Sequence, residues 1–191
     1  MCGRYYIDLG AFRLLGQRYD QEETLKAVNA GDVHPGDDAL IIMQGIQGPQ
    51  LTLMNWGLPL GKRLLINVRS ESVLEKDFFH QMIHHQRCVI PARKFYEWTA
   101  DKQKVTFSLP RQKMMYMAGV YDDHDGQPRY MIMTTAANDS VKNVHHRMPV
   151  LIDGSDVGRY LEDGDGFIDV MHKSMPSLKS TEYSVQMRLP L

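Results

Sequence analysis

Cysteine is scarce in this sequence: Cys2 and Cys88 are the two among 191 residues. That excludes a disulfide-stapled scaffold and points to a compartment that keeps thiols reduced. A charge surplus is missing too, with 22 Lys and Arg against 23 Asp and Glu and a net charge of −1. Coating nucleic acid by bulk charge is thereby excluded, whereas a local basic groove is not. No apolar run reaches the roughly 20 residues of a membrane span. No basic segment followed by an apolar one opens the chain, so the expected location is cytoplasmic. Internal repeats and low-complexity tracts are absent, and no segment is long and polar enough to be a linker. What remains is an ordinary globular composition, 43% hydrophobic and 24% charged. One domain spanning residues 1–191 accommodates that length. Methionine is plentiful, at 13 residues. Most sit in apolar runs such as Met114-Met115-Tyr116-Met117, where methionine serves as flexible core filler.

Apolar patterning predicts short strands over residues 3–7, 40–43, 51–54, 88–90, 95–99, 105–109, 116–121, 130–135 and 183–188. Helical composition covers residues 11–18, 22–28, 72–85, 156–162 and 167–172. Residues 29–38, rich in Gly, Asp and Pro, read as a loop. Gly45, Gly48 and Pro49 mark the turn between the second and third strands. Short strands at roughly even spacing, with helices at the start, middle and end, give an α+β class. The expected architecture is a mainly antiparallel, β-barrel-like core with flanking helices, in a single domain.

Met1-Cys2-Gly3-Arg4 is the most informative stretch. An initiator Met before a residue as small as Cys is a substrate for methionine aminopeptidase, and its removal leaves Cys2 at the terminus. A terminal Cys carries an amine and a thiol on adjacent carbons. The amine, with an ordinary pKa near ~7.7–8.0, is partly unprotonated at neutral pH. The thiolate is the stronger nucleophile, and nearby cations lower its pKa. Two chemistries follow. The thiol attacks an acyl group with the amine as base, or the amine attacks an aldehyde and the thiol closes the imine into a thiazolidine. Met-Cys-Gly also opens glutamine amidotransferases of class II, so these residues alone leave both chemistries open, beside an incidental cysteine on a frayed terminus.

Three further clusters carry chemistry. In Asn67-Val68-Arg69-Ser70-Glu71, Asn67 and Arg69 lie on one face of an extended segment. Asn67 suits a terminal amine or a carbonyl and Arg69 a phosphate, while Ser70 reads as a cap for the helix that follows. In Phe95-Tyr96-Glu97-Trp98, alternation sets Glu97 beside Phe95, with Tyr96 and Trp98 opposite. A carboxylate in apolar surroundings has a raised pKa and suits proton transfer; the ordinary alternative is an exposed Glu on an edge strand. In Val144-His145-His146-Arg147-Met148-Pro149, a His moves protons near neutrality and Arg147 binds phosphate; the alternative is a solvated polar loop. Trp56 and Trp98, the two tryptophans, are either base-stacking surfaces or core residues.

Taken in order along the chain, these motifs resemble the SOS-response-associated peptidase (SRAP) family, whose members shield abasic sites in DNA. Met1-Cys2-Gly3-Arg4, the Asn67–Glu71 stretch, Phe95-Tyr96-Glu97-Trp98 and His145-His146-Arg147-Met148-Pro149 all match, and Arg87-Cys88-Val89-Ile90-Pro91-Ala92 resembles the family's approach to its Glu motif. The resemblance spans nearly the whole chain. It implies a β-barrel-like core flanked by helices. It also implies that Cys2, exposed by loss of Met1, links covalently to the ring-opened aldehyde of an abasic site in single-stranded DNA. By the same resemblance Asn67 positions the amine, Glu97 is the acid/base, and His145 assists imine formation, ring opening or crosslink reversal. DNA contacts fall on Arg4, Arg69 and Arg147, stacking on Trp56 and Trp98, and Thr134, in Met133-Thr134-Thr135-Ala136-Ala137, lines the site. The family's peptidase label fits self-removal of Met1 or crosslink release. No metal, small-molecule cofactor or membrane partner is implied, and a monomer is expected, associated with the nucleoid when on damaged DNA.

Two departures stand out. Asp32-Val33-His34-Pro35 replaces the family's usual Asn-x-x-Pro, and Trp56-Gly57-Leu58-Pro59-Leu60-Gly61-Lys62 lacks its second Trp. Lys62 and Arg63 are candidates to supply phosphate contacts instead. The competing readings are an N-terminal-nucleophile amidotransferase or hydrolase, which a glutaminase assay detects, and a non-covalent DNA-damage binding module, which leaves no covalent species on a denaturing gel. His80, His84 and Cys88, four apart, would share a face on one continuous helix as zinc ligands, but Cys88 is expected to open a strand.

Overall fold

A computed structural model describes residues 2–21, 30–162 and 164–182. The chain opens with strand β1 (Tyr5–Ile7) and helix α1 (Leu9–Tyr19), then β2 (Gly31–Val33), β3 (Asp38–Gly45), β4 (Gly48–Trp56), β5 (Leu58–Leu60), β6 (Arg63–Leu65) and β7 (Asn67–Arg69). Helices α2 (Ser70–Val73) and α3 (Asp77–His85) lead to β8 (Arg87–Ala92), β9 (Lys94–Trp98), β10 (Lys104–Ser108), β11 (Met115–His124) and β12 (Gln127–Ala136). Then come β13 (Arg147–Pro149), β14 (Leu151–Ile152), α4 (Val157–Leu161), α5 (Gly166–Met171) and β15 (Lys179–Glu182).

The larger sheet runs β12-β4-β3-β8-β11, and β11 pairs again with β12, which closes five strands into a barrel. Only the β4–β12 and β7–β12 pairings among the described residues are parallel. The α+β, mainly antiparallel, barrel-like expectation therefore holds. A second sheet, ordered β15-β10-β9-β1-β2, is antiparallel throughout. One continuous core of Ile41, Ile42, Val89, Ile90, Met117, Met131 and their neighbours fills the barrel, excluding water from apolar surface that drives the collapse. Several methionines, including Met115, Met117, Met131 and Met133, are buried there as filler.

Local chemistry explains the ends of α1. Asp8 is its N-cap and accepts from the Ala11 amide at 2.6 Å, while Asp20 closes it in the left-handed region at φ 52°. The helix expected over 72–85 is instead broken between α2 and α3. Ser70 is not a cap: it is the first residue of α2, Arg69 holds the N-cap position, and no side chain caps that end. The loop expected over 29–38 contains β2, which forms because Val33 and Asp32 find partners in Tyr5 and Tyr6. The helix expected over 22–28 and the strand over 183–188 lie outside the described residues.

Arg87 ties two helices to the barrel. It is 3% exposed, and its guanidinium donates to the carbonyls of Ile83 (2.5 Å) and His84 (2.7 Å) at the end of α3, and of Tyr160 (2.7 Å) and Glu162 (2.5 Å) at the end of α4. It also lies 4.5 Å from the Phe167 ring centroid. Positive charge at two helix C-termini satisfies carbonyls that helices leave unpaired. Arg87→Ala strands the buried carbonyls of Ile83 and Tyr160, and should lower the unfolding free energy in urea by about 3 kcal/mol. A loss below about 1 kcal/mol would mean that water replaces the guanidinium without penalty.

Candidate active site

Four residues far apart in sequence converge where the two sheets meet. Cys2 precedes β1, Asn67 opens β7, Glu97 lies in β9, and His145 precedes β13. Pairing of β1 with β9, Tyr5 opposite Phe95, carries the Cys2 segment alongside the strand that bears Glu97. The Arg4 carbonyl accepts from the Tyr96 amide at 3.0 Å. From the other sheet, Asn67 Nδ2 donates to the Cys2 carbonyl at 3.0 Å. The parallel pairing of β7 with β12 holds Asn67 opposite Ile132.

Burial sets the protonation states. Cys2 is 1% exposed, and desolvation, reinforced by the nearby Glu97, pushes its thiol far above the ordinary value. The lowered thiolate pKa that a neighbouring cation would give is therefore not present. Glu97 is 2% exposed, and burial raises its carboxyl above the ordinary 4.5. Alternation in β9 does set Glu97 in an apolar setting, beside Phe95, which stacks on Phe107 at 5.2 Å. His145 Nδ1 lies 4.0 Å from Glu97 Oε1. Desolvation lowers the His145 pKa, so its imidazole is neutral at pH 7. A neutral base thus faces a carboxyl that retains its proton more readily than usual, an arrangement suited to proton transfer in both directions.

The expected DNA contacts divide. Arg69 is exposed on the wall of an open groove of about 590 Å³ that Asn67, Glu71, Lys76, Phe79 and Arg147 also line. Arg4 lies 5.5 Å from the Trp98 ring centroid and 3.7 Å from Asp32 Oδ2. Trp98 is partly exposed, with the Arg4 guanidinium over its ring. Three expectations need correction. Trp56 is fully buried: it stacks on Tyr130, tilts against Tyr5, and donates from Nε1 to the Ile66 carbonyl at 3.0 Å. It packs the barrel and presents no face to a base. Thr134 is fully buried as well, donating to the Val68 carbonyl at 3.2 Å, so it supports the site from behind. Arg147 is also buried, and its guanidinium forms two 2.7 Å bonds to Glu71 rather than standing open for phosphate.

Sequence reading gave no role to Glu71 or Asp32. Glu71 sits inside the Asn67–Glu71 motif, and an acid two residues after an Arg was the available signal. Asp32, at the departure from Asn, accepts from Tyr96 Oη at 2.8 Å and faces Arg4. The zinc alternative loses its shared face: the His80 and His84 rings lie tilted with centroids 4.6 Å apart on α3, whereas Cys88 is buried in β8. Among the described residues no three His, Cys, Asp or Glu side chains form a metal-binding group, and no helix is long and apolar enough to cross a membrane.

Comparisons with known proteins bear on the family and the fold. Residues 1–188 match the family described as SOS response associated peptidase (SRAP). A Bacillus subtilis relative, abasic site processing protein YoaM, is 30% identical over 171 residues, covering 80% of this chain and 75% of its own. The chicken (Gallus gallus) abasic site processing protein HMCES is 30% identical over 118 residues, 47% of this chain and 35% of its own. A crystal structure of a Bacteroides thetaiotaomicron protein superposes with a TM-score of 0.79 at 19% identity, covering 96% of this chain and 93% of that one. At that identity the likeness concerns the fold.

The raised Glu97 pKa has a measurable sign. Folding favours its acid form, so its contribution is intact below pH 4.5 and is lost as pH rises through the raised value. Glu97→Gln removes that loss. The Tm of the variant relative to wild type should therefore increase by a few degrees between about pH 4 and pH 8. A difference independent of pH would show that Glu97 is not desolvated.

Proposed function

The chain belongs to the SOS response associated peptidase family, and from that premise we propose that it captures abasic sites in single-stranded DNA as a covalent thiazolidine on Cys2. Loss of Met1 frees the amine. That amine adds to the aldehyde carbon of the ring-opened sugar, and the carbinolamine loses water to give an imine. The Cys2 sulfur then adds to the imine carbon while the thiol proton passes to nitrogen, so the net release is one water.

The observation that carries this reading is the convergence of the buried Cys2, its carbonyl held by Asn67 Nδ2, with Glu97 and His145. A hydrolase or amidotransferase needs a thiolate at the first step. An amine-first reaction needs the thiol only after the imine exists. Burial therefore favours imine formation followed by ring closure over acyl transfer. Asn67 supports the same order. Its Nδ2 is spent on the Cys2 carbonyl, and no described group donates to its buried Oδ1, which leaves an acceptor for the terminal amine. His145 takes the proton that the attacking amine sheds. Glu97 in its acid form protonates the departing hydroxyl and recovers its charge state through His145. Proximity in a site held by two sheets supplies several kcal/mol of such a barrier.

Arg4, Arg69 and Trp98 hold the strand, with phosphates on the arginines and a base on the indole. Lys62 and Arg63 extend that track: both are exposed at the turn of the β5–β6 hairpin. The same site releases the crosslink when the ring reopens, the proton returning from nitrogen to sulfur, and water activated by Glu97 and His145 hydrolyses the imine to aldehyde and amine. This protein acts as one domain on DNA, without a resident cofactor.

Two outcomes test the reading. Cys2→Ala, which keeps the amine but lacks the sulfur, should give no species that survives a denaturing gel, whereas Cys2→Ser should give a weaker adduct; a stable adduct on Cys2→Ala would refute the thiazolidine. Replacing Lys62 and Arg63 together by Glu should weaken binding to intact single strands. It should also reduce the slope of log K against log salt by roughly 1.4; unchanged affinity would remove the hairpin from the DNA track.

A further inference from the structure

We propose that Glu71 is a positioning residue: by fixing the Arg147 guanidinium it holds the Arg147 peptide against His145 and so sets the tautomer of that imidazole. The role in catalysis rests on the reading of His145 as the proton carrier; the role in setting the tautomer does not.

The geometry runs through three elements. Glu71, in α2, accepts from Arg147 Nη1 and Nη2 at 2.7 Å each, a fork-to-fork pair of the strong, directional kind. Arg147 Nη2 donates again to the Thr134 carbonyl at 2.5 Å, and Thr134 Oγ1 donates to the Val68 carbonyl at 3.2 Å. The pair therefore bolts β13 to β12 and β7, the strand that presents Asn67. Arg147 is otherwise a buried cation, and a buried guanidinium stripped of its counter-ion moves toward solvent and takes its backbone along.

What that backbone does is specific. The Arg147 amide nitrogen lies 3.0 Å from His145 Nδ1, and the Arg147 carbonyl oxygen lies 3.1 Å from the same atom. One peptide residue thus offers Nδ1 a donor and an acceptor. When the imidazole is neutral, Nδ1 accepts the Arg147 N–H and the ring proton sits on Nε2. When the imidazole is charged, Nδ1–H donates to the carbonyl. His145 can gain or lose a proton without finding a new partner, provided that Arg147 stays in place. Hydrogen-bond partners on one ring nitrogen commonly decide which tautomer a histidine adopts. Glu71 itself is half exposed on the groove side. The Arg147 guanidinium holds its carboxyl below the ordinary range, which keeps it anionic.

A competing role predicts the opposite. If Glu71 merely occupied a phosphate site on Arg147, its removal would strengthen DNA binding and leave chemistry alone.

The test uses the full chain with 15N-labelled histidine, and Glu71→Gln, which keeps an acceptor but loses the charge. Long-range 15N–1H correlation spectra of the free protein should show the Nε2–H tautomer of His145 in wild type and a mixture of both tautomers in the variant. Single-turnover crosslinking to a saturating abasic single strand should slow roughly tenfold, with the Kd for an intact strand within about twofold. Glu71→Asp, charged but one methylene short, should fall between the two and carries the test should Glu71→Gln not fold. An unchanged tautomer in a folded variant overturns the proposal, as does tighter DNA binding at an unchanged rate. If wild type forms no crosslink, the reading of the site fails, while the spectra still decide the role of Glu71.

Discussion

The hydrogen bond from Asn67 to the Cys2 carbonyl is the contact on which the site depends. It joins two residues 65 positions apart and is buried. Without it, the segment before β1 would be anchored through Arg4 to Tyr96 and Asp32 but not at Cys2 itself, and short terminal segments fray unless they are tied down. With it, Cys2 is fixed between the sheet that carries Glu97 and the sheet that carries Asn67 and, through β12 and β13, His145. The barrel supplies rigidity for this arrangement. Its five strands close on themselves, and β7, which bears Asn67, is held to that barrel by its parallel pairing with β12.

Burial then does the chemical tuning. The same desolvation that silences the Cys2 thiol as a free nucleophile raises Glu97 and lowers His145. All three shifts favour neutral forms, as a dry site should. A chemistry that starts with a thiolate is disfavoured there, and one that starts with an amine and moves protons between neutral partners is favoured. The net charge of −1 fits as well. On the proposed reading, a few placed cations around the groove supply the affinity and a covalent bond supplies the permanence.

Much of this was legible in sequence. The alternation of Phe95, Tyr96, Glu97 and Trp98 set Glu97 beside Phe95 but left an exposed edge-strand Glu open; the fold buries both faces, Tyr96 as well as Glu97. Motif resemblance identified Cys2, Asn67 and His145 as partners, and family membership agrees with it. Trp56 was not legible. Its burial depends on Tyr5 and Tyr130, which only the closed barrel brings around it. Arg147 reads as a free cation until the fold delivers Glu71. The short strands β2, β5 and β6 lie in Gly- and Pro-rich stretches whose local propensity opposes strand formation, and pairing overrides it. Ser70 fails as a cap because α2 starts at Ser70 itself, two positions before the start at residue 72 that composition suggests.

Intact mass spectrometry of the protein before and after exposure to an abasic single strand, with no reductant present, decides whether Cys2 closes a thiazolidine. The account predicts a starting mass without Met1. It then predicts a product equal to protein plus oligonucleotide minus one water, stable to denaturation. An adduct that appears only after borohydride trapping, or none at all on a chain that has lost Met1, would contradict it.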